Sequence, residues 1–189
     1  MIFDGFRRTI ARAAELTPNE FLPKLGKKVT HGRLSAHDFA ELYLVARFMF
    51  ALALATAIPK SLVLTFVVGI IQVSSLIYLL QIVFPVAERN LKDPGRSLFF
   101  ALGHYIEIGL SMGYVYWCIG EFNDKAITIS KSVYFSFVTM STLGYGDVLP
   151  DSDSTRLLVV IQIVVGIFML ATVIGLFLSL ASGGRQSNE

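Results

Sequence analysis

The stretch Ser132-Val-Tyr-Phe-Ser-Phe-Val-Thr-Met-Ser-Thr-Leu-Gly-Tyr-Gly-Asp147 decides how the rest of the chain is interpreted. Its first ten residues, 132–141, are mostly apolar and are predicted to form a short helix. Glycine reaches positive φ angles without steric cost, so Gly144 and Gly146 permit backbone angles that other residues avoid. A Gly-rich surface turn is the alternative, but the apolar segments on both sides of the motif argue against it.

The composition indicates an integral membrane protein. Hydrophobic residues make up 54% of the chain and charged residues 16%, and the mean hydropathy is +0.64. Few soluble domains of this size could bury so much apolar surface. The net charge of +2 is too small to favour a nucleic-acid partner, and the single cysteine, Cys118, permits no internal disulfide. The first 38 residues lack the apolar core of a signal peptide.

Four apolar runs have about the 20 residues that a membrane-spanning helix needs. They are residues 39–58, 61–84, 97–120 and 155–180. We predict an all-α integral membrane protein with four transmembrane helices and a re-entrant helix over 132–141. Residues 1–38 are basic, and either an amphipathic helix on an anionic membrane surface or a mobile tail suits them.

Thr142, Leu143, Gly144, Tyr145 and Gly146 resemble the selectivity filter of potassium channels, in which Val usually stands where this chain has Leu143. The resemblance covers roughly residues 97–182 as outer helix, pore helix, filter and inner helix. It implies that the filter carbonyls and the Thr142 hydroxyl replace the water around K⁺ ions, with Asp147 at the outer mouth. Leu143 and Tyr145 are expected to point away from the axis and to pack against the pore helix. One filter strand supplies a quarter of each carbonyl ring, so the resemblance implies a homotetramer.

The expected organisation has four parts. They are a cytoplasmic basic segment (1–38), a peripheral two-helix hairpin with a cytoplasmic loop (39–96), the pore module (97–182) and a short cytoplasmic tail (183–189). With the filter facing outward, the cytoplasmic segments carry eleven Lys and Arg residues and the outer segments four. This agrees with the positive-inside rule and predicts cytoplasmic termini in the plasma membrane, which is the inner membrane of a bacterial cell.

Two positions depart from the usual pattern of the resembling family. Many relatives have a Trp that supports the filter where this chain has Phe135, and some bacterial relatives have a Glu where it has Val138. Neither side chain here donates a hydrogen bond. We therefore hypothesise a less rigid filter that loses conduction during sustained opening. Ser130 or Ser132 is expected to cap the pore helix.

Several residues of the predicted spans have alternative roles. Gly166 falls where related inner helices carry a hinge glycine, although close helix packing explains it too. Arg47 and Glu107 lie at matching depths, roughly 12–15 Å from the cytoplasmic side at the rise of an α-helix. They are expected to form an ion pair, with His104 one turn below Glu107. A proton-sensitive gate through Glu107 and His104 is the alternative. Gly109 and Gly113 are expected to mark helix packing.

The predicted function is passive, selective K⁺ conduction, with K⁺ and membrane lipid as partners and no enzymatic chemistry. A weakly selective cation channel is one alternative, because Leu143 is larger than Val. A non-conducting membrane subunit or a part of a potassium transporter is the other. Transporters of the related superfamily usually keep one filter glycine in each of four repeats, whereas this chain has Gly144, Gly146 and one repeat. The chain shows no ligand-binding domain after the fourth span, so the sequence does not indicate what stimulus opens the channel.

Overall fold

The structure is a computed structural model, and it describes residues 36–56, 58–83 and 94–186 together with the isolated residues 5, 9 and 12. The helices in the three continuous ranges are α1 (Ala36–Thr56), α2 (Leu62–Val83), α3 (Pro94–Ile119), α4 (Ile129–Met140) and α5 (Asp153–Gln186). These ranges contain no β-strand, so the described fold is all-α. The helix or tail expected within residues 1–38 and most of the expected loop at 85–96 lie outside the described residues.

Each predicted apolar run forms a helix, and most helix ends lie within three residues of the predicted ones. The inner helix is the exception, because it continues to Gln186 instead of ending at residue 180. No proline follows to break it.

The predicted cap of α4 was wrong. Thr128 caps the helix in place of Ser130 or Ser132, because its extended backbone aims the hydroxyl at the Lys131 amide, which donates to it over 3.3 Å.

Two helices of the described ranges are long and apolar enough to cross a membrane. They comprise residues 97–119 of α3 and 153–181 of α5. The apolar part of α2, Leu62–Ile77, is shorter. These lengths and compositions suit a membrane protein, with α3 and α5 on either side of the short helix α4 in the chain.

Helix α3 is central to the packing, since it contacts each of the other four helices. Two of its glycines permit close approach to α4. A Cβ atom at Gly113 would lie 2.6 Å from the Val133 Cα, and one at Gly109 would lie 2.6 Å from the Phe137 ring. Because a backbone atom cannot move aside as a side chain can, Gly113 in particular fixes the distance between the two helices. The packing role predicted for these glycines is confirmed.

Three apolar clusters hold the helices together. The first joins α1, α2 and α3 around Leu54, Val68 and Tyr114. The second cluster, Ile108, Met140 and Met169, joins α3, α4 and α5. The third cluster joins α3 and α4 to the loops before and after α4, and consists of Tyr116, Phe122, Phe135 and Val148. Residues 142–147 thus follow a helix that is packed on two sides.

Candidate functional site

The backbone after α4 is held by the last turn of that helix. The amides of Leu143 and Gly144 both donate to the Val138 carbonyl, over 3.0 and 3.4 Å, and the Thr142 amide donates to the Thr139 carbonyl over 3.0 Å. The orientation of the last helical turn therefore determines where residues 142–144 begin. Val138 contributes to this segment through its backbone, which its apolar side chain did not suggest.

Every second residue of the motif has a positive φ angle. The values are 60° at Thr142, 57° at Gly144 and 76° at Gly146. Positive φ is uncommon for a residue with a side chain, so Thr142 is held in an unfavoured conformation. At Gly144 and Gly146 the angle carries no steric penalty, which explains the glycine spacing of the motif.

The side chains of the motif are exposed in the single subunit. Leu143 is 60% exposed and Tyr145 is 66% exposed. Tyr145 stacks on Tyr134 of α4, with ring centroids 6.5 Å apart and planes inclined by 4°. The expected packing against the pore helix is therefore present for Tyr145, whereas Leu143 remains largely uncovered by its own subunit. Asp147 is also exposed.

Tyr134 is a supporting residue that the sequence interpretation missed. Its ring stacks on the ring of Tyr145. The signal in the sequence was an aromatic residue of α4 close to an aromatic residue of the motif, since aromatic rings commonly pair with one another.

Phe135 lies elsewhere. It is buried with Tyr116 and Phe122, whose ring centroids are 5.1 and 4.9 Å from its own in edge-to-face geometry. Aromatic rings in this arrangement stabilise one another beyond the area that they bury. Phe135 therefore anchors α4 to the segment after α3, and in the described part of the subunit its ring contacts are with Tyr116 and Phe122.

The segment that returns from the motif is tied to the loop after α3. The backbone amide of Asn123 donates to the Leu149 carbonyl, and the Asn123 side-chain oxygen accepts from the backbone amide of Leu149, both over 3.0 Å. The Asp151 amide donates to the Glu121 carbonyl over 2.9 Å, and the Glu121 amide donates to the Thr155 hydroxyl over 2.9 Å. Residues 142–147 are thus held at both ends, at α4 and at this loop.

Gly166 of α5 packs directly against the end of α4. A Cβ atom at this position would lie 2.6 Å from the Met140 carbonyl oxygen. Close packing, the alternative explanation for this glycine, is therefore present in the structure. The hinge stays a prediction, and α5 runs as a continuous helix through this position.

The structure brings Arg47 and Glu107 together in a buried ion pair. The Arg47 Nη2 lies 2.8 Å from the Glu107 Oε2, and the two side chains are 4% and 1% exposed. The Nδ1 of His104 lies 3.5 Å from the same carboxylate oxygen. Buried charges of this kind need further hydrogen bonds, because each ion has lost its water.

Helix α2 supplies most of those hydrogen bonds. Arg47 donates to the Ile71 carbonyl over 3.2 Å and to the hydroxyls of Ser74 and Ser75. Gln72 donates from Nε2 to the Glu107 Oε1 over 2.9 Å. The ion pair therefore joins three helices, α1, α2 and α3, and attaches the peripheral hairpin to the outer helix.

Comparisons with known proteins bear on the second half of the chain. Residues 104–182 match the model of a family described as "Ion channel". The voltage-gated potassium channel Kch of Escherichia coli is 45% identical over 51 residues, which are 27% of this chain and 12% of that protein. Two pore potassium channel a of Oryza sativa is 33% identical over 97 residues, which are 50% of this chain and 27% of that protein. Two-pore potassium channel 3 of Arabidopsis thaliana is 28% identical over 85 residues, which are 43% of this chain and 20% of that protein. No solved structure matches the chain.

The residues that match the ion channel family comprise most of α3, all of α4, the positive-φ segment after it and most of α5. This match and the similarity to potassium channels support a potassium channel pore-domain family for residues 104–182. The chain spans about an eighth to a quarter of the length of the three relatives.

Proposed function

We propose that the protein is a potassium-selective channel that conducts K⁺ passively through a filter formed by residues 142–146. The observation that carries this proposal is the alternation of positive φ at Thr142, Gly144 and Gly146. In an ordinary extended chain successive carbonyls point to opposite sides. Positive φ at every second residue removes that alternation, so the carbonyls face one side and can replace the hydration shell of a cation. The Thr142 hydroxyl adds the innermost ligand.

The proposed assembly is a homotetramer around the filter. One strand provides only one carbonyl at each level, and four strands complete each ring. Two features of the subunit support this assembly. Space is open around Gly144 and Gly146, and α5 has a row of exposed apolar side chains that another subunit can cover. The row consists of Leu157, Val160, Ile161, Val164, Ile167, Ile174, Phe177 and Leu178.

The proposed topology has four membrane spans, α1, α2, α3 and α5, with α4 as a re-entrant helix. The C-terminal end of α4 directs partial negative charge toward the pore axis, where it favours a cation. The distribution of Lys and Arg supports cytoplasmic termini in the plasma membrane, and Asp147 then lies at the outer mouth. The α1–α2 hairpin is not a typical voltage sensor, since Arg47 is its only buried arginine among the described residues and is paired with Glu107.

A weakly selective cation channel is the second candidate, and the exposure of Leu143 favours it. A side chain that its own subunit does not pack depends on neighbouring subunits to fix the diameter of the ring. The two candidates differ in one measurable quantity, the ratio of K⁺ to Na⁺ permeability.

The test is ion flux through the purified protein in liposomes, with K⁺ and Na⁺ gradients in parallel and Ba²⁺ as blocker. We expect Ba²⁺-sensitive K⁺ flux with little Na⁺ flux. Gly146→Ala should abolish the flux without preventing assembly, because alanine is strained at a φ of 76°. Gly175→Ala is the matched control, since nothing lies within 4 Å of its added Cβ in the subunit. Equal K⁺ and Na⁺ fluxes would establish the weakly selective channel. A tetramer without flux of either ion, under every stimulus applied, would establish a non-conducting subunit.

A further inference from the structure

Gln162 is an unusual residue for its position. It lies in α5, the most apolar of the predicted spans, and it is only 2% exposed. A buried amide without hydrogen bonds is costly, more so in a membrane where water does not reach it. An apolar or small side chain would pack at this position without that cost. The contacts of the Gln162 side chain therefore require an explanation.

Those contacts are made with Ser136 of the pore helix α4. The Gln162 Nε2 donates to the Ser136 hydroxyl over 2.7 Å and to the Ser136 carbonyl over 3.1 Å. The Ser136 hydroxyl in turn donates to the Gly109 carbonyl of α3 over 2.7 Å. A hydroxyl has one proton, and a carbonyl can only accept, so the Ser136 oxygen must accept from Gln162. This requirement orients the amide with its nitrogen toward α4.

The amide is satisfied on one side only. Its Oε1 is buried and has no hydrogen-bond partner within the described part of the subunit. A half-satisfied buried amide adds little to stability compared with an apolar side chain of the same size. A role in placing α4 relative to α3 and α5 therefore explains Gln162 better than a contribution to stability does.

Gln162 acts in register with Gly166. Gln162 contacts Ser136, and Gly166 contacts Met140, so two residues one turn apart on α5 meet two residues one turn apart on α4. Between them lies Val138, whose carbonyl accepts the amides of Leu143 and Gly144. A shift of the C-terminal part of α4 along or around the helix axis would move the Val138 carbonyl and with it the start of the filter.

We propose that Gln162, through Ser136, is a positioning residue for the filter. It fixes the last turn of the pore helix to the inner and outer helices and so keeps the carbonyl rings at the diameter that selects K⁺. The proposal rests on the proposed function for its effect on selectivity, whereas its effect on the pore helix does not depend on conduction.

The test compares Gln162→Met, which has a similar length and no N–H group, with the wild-type protein in liposomes. Two quantities are measured: the K⁺/Na⁺ permeability ratio from bi-ionic reversal potentials, and hydrogen–deuterium exchange of the backbone over residues 136–144. We expect the permeability ratio to fall about three- to tenfold, the range that one interhelical hydrogen bond in a membrane supports. Exchange at 136–144 should rise.

Two further comparisons separate positioning from general destabilisation. In a Ser136→Ala background Gln162→Met should have a smaller further effect, because the hydroxyl acceptor is already gone and the Ser136 carbonyl remains. Ser132→Ala is the matched control, since Ser132 is a buried serine of the same helix whose hydroxyl donates to the carbonyl of Thr128, the cap of that helix. It should leave both measurements at their wild-type values.

The outcomes are distinct. A selective wild-type channel whose permeability ratio and exchange are both unchanged by Gln162→Met would overturn the positioning role. A wild-type protein that conducts no K⁺, with exchange that still rises in Gln162→Met, would overturn the proposed function and support the positioning of α4 by Gln162. If Ser132→Ala has the same effects as Gln162→Met, the role is general packing and the proposal is wrong.

Discussion

Arg47 and Glu107, sixty residues apart in the chain, form a buried ion pair 2.8 Å long between α1 and α3. Glu107 lies two residues before Gly109 on α3, and the Gly109 carbonyl accepts a hydrogen bond from the Ser136 hydroxyl of the pore helix. The peripheral hairpin is therefore attached to the same segment of the outer helix that holds the pore helix. The ion pair and its hydrogen bonds thus hold α3 in place against the hairpin.

Removal of one partner should destabilise the protein strongly. Arg47→Gln or Glu107→Gln leaves the opposite charge buried, which costs on the order of 3–5 kcal/mol. Thermal unfolding in detergent measures the loss. Arg156→Gln is the control, because its pair with Asp153 is exposed and should leave the melting temperature unchanged.

The charge swap Arg47→Glu with Glu107→Arg should recover only part of what either single reversal loses. The Ile71 carbonyl accepts from Arg47 and would face a carboxylate after the swap. A double variant as unstable as the worse single variant would show that the attraction between the two charges is not what holds the helices together.

The two explanations of Gly166 predict opposite changes in stability. As a hinge alone, Gly166→Ala should stabilise α5 by about 1 kcal/mol, because alanine is the better helix former. As a packing residue, Gly166→Ala should lower the melting temperature, because its Cβ would lie 2.6 Å from the Met140 carbonyl. We expect the lower temperature, measured beside Gly175→Ala on the same helix. A raised melting temperature with a change in open probability would favour the hinge.

Tyr134→Leu should speed the loss of current during sustained opening, because the substitution removes the ring that stacks on Tyr145. The decay of K⁺ current over many seconds is the measurement. Phe66→Leu in α2 is the control, since the Phe66 side chain is exposed. Unchanged decay in Tyr134→Leu would show that the stacked ring does not hold Tyr145 in place.

Phe135→Trp should act through overpacking and not through a new donor to the filter. Phe135 is enclosed by Tyr116 and Phe122, and a larger ring in such a site costs about 1–3 kcal/mol. A lower melting temperature with unchanged current decay is the expected result. Slower decay at unchanged stability would instead support the hypothesis that the filter lacks a donor at this position.

Acid should weaken the loop before the pore helix. The hydrogen bond from the Lys131 ammonium to Asp124, 2.7 Å long, holds the pKa of that carboxyl below its ordinary value of 3.8. A carboxyl with a lowered pKa in the folded state stabilises that state above its ordinary pKa, and the contribution is lost as the pH falls through the lowered value. Asp124→Asn should therefore lower the melting temperature slightly at pH 7 and match the wild type once the pH has fallen below the lowered pKa. A constant difference across this range would exclude the charge as the cause.

Much of the fold was predictable because it depends on properties that act along the chain. Apolar runs of sufficient length located α1, α2, α3 and α5, and the glycine spacing located the segment with positive φ. The ion pair was predictable because two charges in apolar helices at the same depth have few other partners. The cap at Thr128 was missed because three hydroxyl residues lie close together and only the backbone angles distinguish them.

The sequence by itself determined the all-α class of protein, the order of the helices and the position of the segment with positive φ angles, because hydropathy and glycine conformation are local properties. The tertiary structure alone decided which faces of the helices meet. A helix that is apolar on every side, such as α5, carries no signal for its rotation about its own axis. For that reason the contacts of Gln162 with Ser136 and of Gly166 with Met140 emerge only when the helices are packed together.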